Sequence, residues 1–267
     1  MSALRRGALT ATGWIGLTVL CGLPLLALIV QALSTRWFYP QLVPDEWTLG
    51  ATRRVLGDPH TRSAFSSGLQ VSALAALVSV LLAIPAARAL VLGGIRRPRA
   101  WALWFLMPTA LPPLALAMGL DVAFLRAGLG GSVWTVAVAH MVVTIPYAVL
   151  ALTAALTRYD PVYERQAAVL GAGAPRILLH VFLPLAAPAI LVSAVLAFVV
   201  SWGQYLLTLL PGGGAVTTPT VLVLAAAGGG DPALAAALGI ATSVPPAIAV
   251  LLVVRRVDAL GPHEGRR

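Results

Sequence analysis

Six long stretches of this chain contain no aspartate, glutamate, lysine or arginine, and this limits the possible fold more than any other feature. Each stretch has about 20 residues, enough to cross a hydrocarbon core of about 30 Å as an α-helix. The stretches predict membrane spans at residues 14–33, 65–87, 101–120, 133–156, 185–210 and 234–254. We therefore expect an all-α polytopic membrane protein in which residues 1–267 form a single transmembrane domain.

The composition excludes a soluble protein. Charged residues make up 10% of the chain and hydrophobic residues 59%, whereas soluble domains carry about 25% charged residues. So few charges cannot solvate the surface of a soluble fold.

The net charge of +9 fits a membrane topology better than a nucleic-acid surface, because the arginines flank the spans. A cytoplasmic N-terminus puts 13 of the 18 basic residues in the cytoplasm, and six spans then return the C-terminus to the same side. The apolar run after Arg5 and Arg6 is longer than a signal-peptide core, which predicts an uncleaved anchor.

Prolines and glycines predict two local features of the spans and loops. Pro108, Pro112 and Pro113 lie in the third span. A membrane helix tolerates proline where neighbouring groups satisfy the freed carbonyls, so this span is expected to be kinked and packed inside the bundle. The apolar piece Pro219–Ala227, in the glycine-rich stretch before the last span, is too short to cross the membrane and predicts a helix at the outer face.

A long polar segment, residues 159–184, separates the fourth and fifth spans and reads YDPVYERQAAVLGAGAPRILLHVFLP. The apolar spacing over 162–170 predicts a short helix. Gly171 and Gly173 then supply a break, because glycine tolerates the positive φ of a helix C-terminus. Pro175 can open the next helical turn, where its missing N–H needs no partner. The segment therefore predicts a helix–turn–helix outside the membrane.

The spacing inside this segment resembles that of a known family. Gly171 is followed by nine residues, Val181, one residue and then Leu183 and Pro184. This is similar to the cytoplasmic "EAA" loop of binding-protein-dependent ABC importer permeases, which reads Glu-Ala-Ala, three residues, Gly, nine residues, Ile, one residue, Leu-Pro. In that family the loop is a coupling helix that docks on a cytoplasmic ATPase subunit.

The Glu-Ala-Ala positions differ from the family pattern. They hold Arg165, Gln166 and Ala167, and the nearby acid, Glu164, lies one residue early. One residue rotates a helix by about 100°, so Glu164 does not replace the family carboxylate on the same face. Docking on an ATPase and a solvated helix face are both possible for Glu164 and Arg165. The resemblance implies these ATPase-coupling residues: Glu164, Arg165, Ala167, Ala168, Gly171, Val181, Leu183 and Pro184.

The resemblance extends into the spans, where MPTALPPLALAMGL, AHMVVTIPY and SWGQYLLTLL are similar to the core of the same permeases. More narrowly, these stretches resemble members for thiamine, ferric iron or polyamine uptake. The family implies the six-helix type I fold in a bacterial inner membrane and alternating access driven by separate ABC ATPase subunits. The other expected partners are a second permease copy, identical or paralogous, a periplasmic or lipid-anchored solute-binding protein and membrane lipid.

Polar side chains within the spans are candidates for the translocation pathway, because such groups are costly in a bilayer and tend to face the bundle interior. Ser201 and Thr208 lie about one helical turn from Gln204 and Tyr205. Hydrogen bonding between helices is the alternative role for these groups. The predicted pathway residues are His140, Tyr147, Ser201, Gln204, Tyr205 and Thr208.

Several chemistries lack their sequence requirements. A P-loop needs a lysine, and the chain has none, so any ATPase activity belongs to another subunit and the chain is not expected to be an enzyme. The four histidines lack metal-ligand spacing, no cofactor is expected, and Cys21 is expected to be a small packed residue. No Gly-x-Ser-x-Gly motif supports a hydrolase. A stand-alone secondary transporter or channel remains the alternative, although no clear repeat or charged midplane supports it.

Overall fold

Helices form nearly all the regular structure of this protein. The computed structural model describes residues 2–35, 37, 41 and 43–260, with side chains for all of these except 2–13, 15, 17, 21 and 258–260. The packing expected for Cys21 therefore lies outside the described side chains. The helices are α1 (Ser2–Ala32), α2 (Gly50–Gly57), α3 (Pro59–Leu92), α4 (Pro98–Ala110), α5 (Pro113–Arg126), α6 (Val133–Leu156), α7 (Val162–Val169), α8 (Ala174–Ile177), α9 (Leu183–Trp202), α10 (Leu206–Gly212), α11 (Pro219–Gly228) and α12 (Pro232–Leu260).

Among the described residues, four helices are long and apolar enough to cross a membrane. They are Pro59–Leu92, Val133–Leu156, Ala174–Trp202 and Pro232–Val257, and the bent pair α4–α5 makes a fifth if it is one span. The first predicted span, 14–33, lies in α1, where the described apolar piece is Thr18–Ala32. The all-α membrane fold is confirmed, whereas the count of six spans stays a prediction.

The third predicted span is broken rather than gently kinked. Helices α4 and α5 meet at an angle of 88°. Leu111 and Pro112 between them have extended ψ angles of 145° and 128°, because each precedes a proline that disfavours the helical conformation. The expectation that this span packs inside the bundle stays a prediction for α4, which packs against α6. Helix α4 has no fully buried residue. Trp104 and Met107 are well exposed within this chain, whereas Phe105 is partly buried against the core.

The fifth predicted span, 185–210, is also interrupted. Helix α9 ends at Trp202 and α10 begins at Leu206. A break at membrane depth requires new partners for the freed backbone groups. The Gln204 side-chain amide donates to the Val200 carbonyl at 3.1 Å, and the Thr220 hydroxyl donates to the Trp202 carbonyl at 2.9 Å. These side chains stabilise an interruption that hydrophobicity alone does not reveal.

The polar segment ends earlier than residue 184. A helix runs without interruption from Ala174 to Trp202, so Val181, Leu183 and Pro184 lie in a helix and not in a loop. Residues Leu178–Phe182 form a π-helical turn, closed by the Leu183 amide, which donates to the Leu178 carbonyl. We attribute this turn to Pro184, which lacks an N–H and crowds the carbonyl four residues earlier in an ordinary α-helix.

The chain divides into two units, and the first consists of Met1–Arg62 and Leu222–Ser243. Its buried residues are mostly alanines, which let helices approach closely; they are Ala32, Ala51, Val55, Ala233, Ala236, Ala237 and Leu238. At its surface Arg54 pairs with Asp231 at 2.7 Å. The short apolar helix predicted at 219–227 is confirmed as α11, and its place at the outer face stays a prediction. The single-domain prediction stays a prediction.

The second unit, Ser63–Val221 with Val244–Arg267, is organised around α6. This helix packs against α4, α9 and α10, and 56% of its most apolar window is buried. Side-chain hydrogen bonds join it to its neighbours on two sides. The Ser79 and Thr144 hydroxyls are 2.6 Å apart, and the Ser193 hydroxyl donates to the Ala148 carbonyl at 3.0 Å. Such bonds hold membrane helices together where lipid removes the hydrophobic driving force.

Candidate functional site

Helix α7 follows α6 and precedes α9 along the chain. Its C-terminal end is set by Gly171. The helix occupies Val162–Val169, close to the predicted 162–170. Gly171 has φ +85°, as predicted for the break. The Gly171 amide donates to the Ala168 carbonyl and the Ala172 amide to the Ala167 carbonyl, each at 3.0 Å. These two bonds form a Schellman motif, which satisfies carbonyls that a helix end leaves free.

One face of α7 is held by Glu164. The Arg88 guanidinium donates from Nη1 to Glu164 Oε1 at 2.9 Å and from Nη2 to Oε2, so the pair is bidentate. The Tyr159 hydroxyl donates to the same Oε1 at 2.8 Å. Only 13% of the Glu164 side chain is exposed. Glu164 is thus bound within this chain and is not part of a solvated helix face.

The C-terminal end of α7 and some of its other residues are uncovered within this chain. Arg165 and Ala168 are exposed. Val169 and Leu170 are each 87% exposed, more than any other large hydrophobic residue among the described side chains. Ala167, by contrast, is half-buried. Of the predicted coupling residues on α7, Glu164 and Ala167 are therefore partly buried, and Arg165 and Ala168 are exposed. Val169 and Leu170 were not among the predicted coupling residues.

His140 connects two of the predicted pathway residues inside the second unit. Its Nδ1 lies 2.8 Å from the Ser201 hydroxyl and its Nε2 lies 3.1 Å from the Thr208 hydroxyl. All three residues are at most 1% exposed. The ring joins α6 to α9 and α10. This geometry favours hydrogen bonding between helices as the role of these three residues. Their pathway role stays a prediction.

The other three predicted pathway residues, Tyr147, Gln204 and Tyr205, line one cavity of about 410 Å³. The cavity lies where the break between α4 and α5 meets the break between α9 and α10. Thr109 adds a fourth polar side chain, and the remaining lining is apolar or glycine, with no charged side chain. Two interrupted helices meeting at a neutral polar cavity are typical of solute sites in membrane transporters.

Replacing His140 by leucine is expected to destabilise the protein by about 1–3 kcal/mol, because the Ser201 hydroxyl loses the partner described above. Thermal unfolding of the detergent-solubilised protein should show a Tm lower by about 2–4 °C per kcal/mol. His180→Leu is the matched control, because His180 is exposed. Equal Tm values for the two variants would contradict the structural role, and lost uptake at an unchanged Tm would favour the pathway role.

Three residues around Glu164 were not identified from the sequence: Arg88, Tyr159 and Phe182. Arg88 marks the end of the second predicted span, but α3 continues to Leu92. A charge four residues before the end of an apolar helix needs a partner, and that signal was available. The sequence does not identify that partner, because Glu164 is 76 residues away along the chain.

Comparison with known proteins agrees on one family. The family described as "Binding-protein-dependent transport system inner membrane component" matches residues 79–262. The molybdenum transport system permease protein ModB of Mycobacterium tuberculosis is 30% identical over 208 residues, which are 73% of this chain and 75% of that protein. The putative 2-aminoethylphosphonate transport system permease protein PhnV of Salmonella typhi is 29% identical over 184 residues, covering 68% and 69%.

The fold is also similar to that of a solved ABC transporter chain. One chain in the crystal structure of a bacterial ABC transporter involved in the import of the acidic polysaccharide alginate aligns with a TM-score of 0.72. The alignment covers 96% of this chain and 98% of that chain, at 17% identity. The narrower resemblance to thiamine, ferric iron or polyamine permeases stays a prediction, since these relatives are named for other solutes. This chain belongs to the binding-protein-dependent transport system inner-membrane components, the permease subunits of ABC importers.

Proposed function

We propose that this permease couples to a separate ATPase through α7 and encloses half of a solute pathway with a second permease copy, identical or paralogous. The observation that carries this proposal is the free end of α7. Val169 and Leu170 are each 87% exposed although they end a short helix that is anchored through Glu164. Exposed apolar side chains on a fixed helix suit insertion into a groove on a partner protein.

The arginine distribution supports a cytoplasmic location for α7. Thirteen of the 18 basic residues, including those flanking α7, are cytoplasmic if both termini are cytoplasmic. In that orientation α7 faces a cytoplasmic ATPase, while the solute-binding protein delivers solute at the opposite face of the inner membrane. The cavity lined by Tyr147, Gln204 and Tyr205 is the proposed part of the pathway in this chain.

The direct test is co-purification of the tagged full chain with its partners, identified by mass spectrometry. In a matched variant a Gly/Ser linker of equal length replaces residues 162–172, which leaves the continuous helix from Ala174 intact. We expect an ATPase with the native chain and its loss from the linker variant. An ATPase retained by both proteins would overturn coupling through α7. No ATPase in either sample, with solute movement by the chain alone in liposomes, would favour the stand-alone transporter.

A further inference from the structure

We propose that Arg88 is a positioning residue that ties α7 to the membrane helices, so that movement of α7 is passed to α3 and α9. This inference rests on the proposed coupling function. In the family pattern the loop carboxylate occupies the position that Arg165 holds here. In this chain the acid is displaced by one residue, and its carboxylate is bound to Arg88 of the same chain.

Glu164 links helices that are distant in sequence. Arg88 lies in the last turns of α3 and Glu164 in the first turn of α7. Tyr159, which bonds the same carboxylate, lies in the connection between α6 and α7. A bidentate guanidinium–carboxylate pair fixes relative orientation as well as distance, which a single hydrogen bond does not.

Phe182 extends this connection to α9. The guanidinium carbon of Arg88 lies 4.5 Å from the centroid of the Phe182 ring. Tyr159 contacts the same ring edge-on, with 5.5 Å between centroids. Phe182 is fully buried and ends the π-helical turn that leads directly into α9. Arg88 therefore donates to the carboxylate of α7 and lies over an aromatic ring just before α9.

The protonation states are consistent with a permanent ion pair. Burial by itself raises the pKa of Glu164, but hydrogen bonds from Arg88 and Tyr159 outweigh it and hold the pKa below its usual value. Burial, followed by the hydrogen bond to Glu164, raises the pKa of Tyr159, so its phenol stays a neutral donor at physiological pH. Glu164 is thus ionised and occupied by donors from its own chain.

The position of the pair explains why it can transmit movement. The exposed residues Val169 and Leu170 follow Glu164 by five and six residues on the same short element. A displacement at that end moves Glu164 with it, because α7 is a single helix closed by the Schellman motif. The bidentate pair then passes the displacement to α3, and Phe182 passes it to α9.

The test compares Arg88→Gln, Glu164→Gln and the double variant in proteoliposomes that contain the complete importer. Arg158→Gln is the matched control, because Arg158 is an exposed arginine next to Tyr159 and is not among the predicted coupling residues. Two quantities are measured: the ATPase retained in the purified complex, and the solute transported per ATP hydrolysed. The second quantity does not depend on how much protein inserts, so a purely structural role does not change it.

We expect every variant to retain the ATPase. Transport per ATP should fall at least about fivefold in each single variant, the lower end of usual coupling between sites. The double variant should be no worse than either single variant, because both remove the same pair. The Arg158→Gln complex should match the native one.

Three results would overturn the proposal. Loss of the ATPase from Glu164→Gln alone would show that this carboxylate contacts the ATPase. Independent, multiplying effects in the double variant would show that the pair does not act as a unit. An unchanged ratio of solute transported to ATP hydrolysed, with a lower yield of purified complex, would show that the pair acts only in folding. If the native chain itself retains no ATPase, the proposed coupling function fails first, and the role of Arg88 fails with it.

Discussion

Replacing Val169 and Leu170 together by serine is expected to weaken binding of the ATPase about 100-fold. Burying one such side chain contributes about 1.5–3 kcal/mol, so two contribute about 3 kcal/mol at the lower end of that range. Each 1.4 kcal/mol changes affinity about tenfold. The measurement is a titration of the detergent-solubilised permease with the purified ATPase. Because both side chains are 87% exposed in this chain, their loss should leave the fold intact.

The matched control for this experiment is Leu49→Ser with Leu56→Ser. These residues are 53% and 72% exposed, and they lie in the stretch predicted to face away from the cytoplasm. Removing two exposed apolar side chains there should leave ATPase affinity unchanged. Equal affinities for the α7 variant and the native chain would contradict docking through the end of α7.

Replacing Gly171 by valine should reduce solute uptake by about tenfold or more. Gly171 has a positive φ, and holding a residue with a side chain in that backbone region costs about 1–3 kcal/mol. Gly171 has φ +85°, and a Cβ at this position would have no neighbour within 4 Å. The cost is therefore one of backbone conformation and not of crowding. A β-branched residue avoids positive φ most strongly, so the turn after α7 should open and change the direction of the helix.

The control for Gly171→Val is Gly173→Val. Gly173 is also exposed, but its φ of −73° and ψ of 162° are open to any residue. Uptake is measured in cells and normalised to the amount of inserted permease, so that a folding defect is not mistaken for a coupling defect. Normal uptake by a stably inserted Gly171→Val protein would show that this turn is not needed for transport.

The features that the sequence predicted well depend on neighbours along the chain. The fourth span was placed at 133–156, and α6 occupies Val133–Leu156. Hydrophobic length decides a membrane helix, so no distant contact is needed for that assignment. The C-terminus of α7 and the positive φ of Gly171 were also local, because a Schellman motif is closed within six residues. The spacing from Gly171 to Pro184 was sufficient to identify the family.

The interruptions of the helices were predicted only where proline signals them. Pro112 and Pro113 mark the 88° bend after α4, since proline restricts its own φ and the conformation of the residue before it. The break at residues 203–205 carries no such signal. It depends on Gln204 and on Thr220, which reaches the Trp202 carbonyl from 18 residues away. Hydropathy cannot detect a backbone group satisfied by a distant side chain.

By itself the sequence determined that this chain is a membrane permease with a helix and a glycine turn between its fourth and fifth spans, because length, polarity and local backbone preference decide those features. Only the tertiary structure decided what Glu164 does. Its partner Arg88 lies 76 residues away, and Phe182 joins them from a third segment. Which charges meet depends on how the helices pack, and that packing places the displaced acid inside the chain while leaving Val169 and Leu170 free.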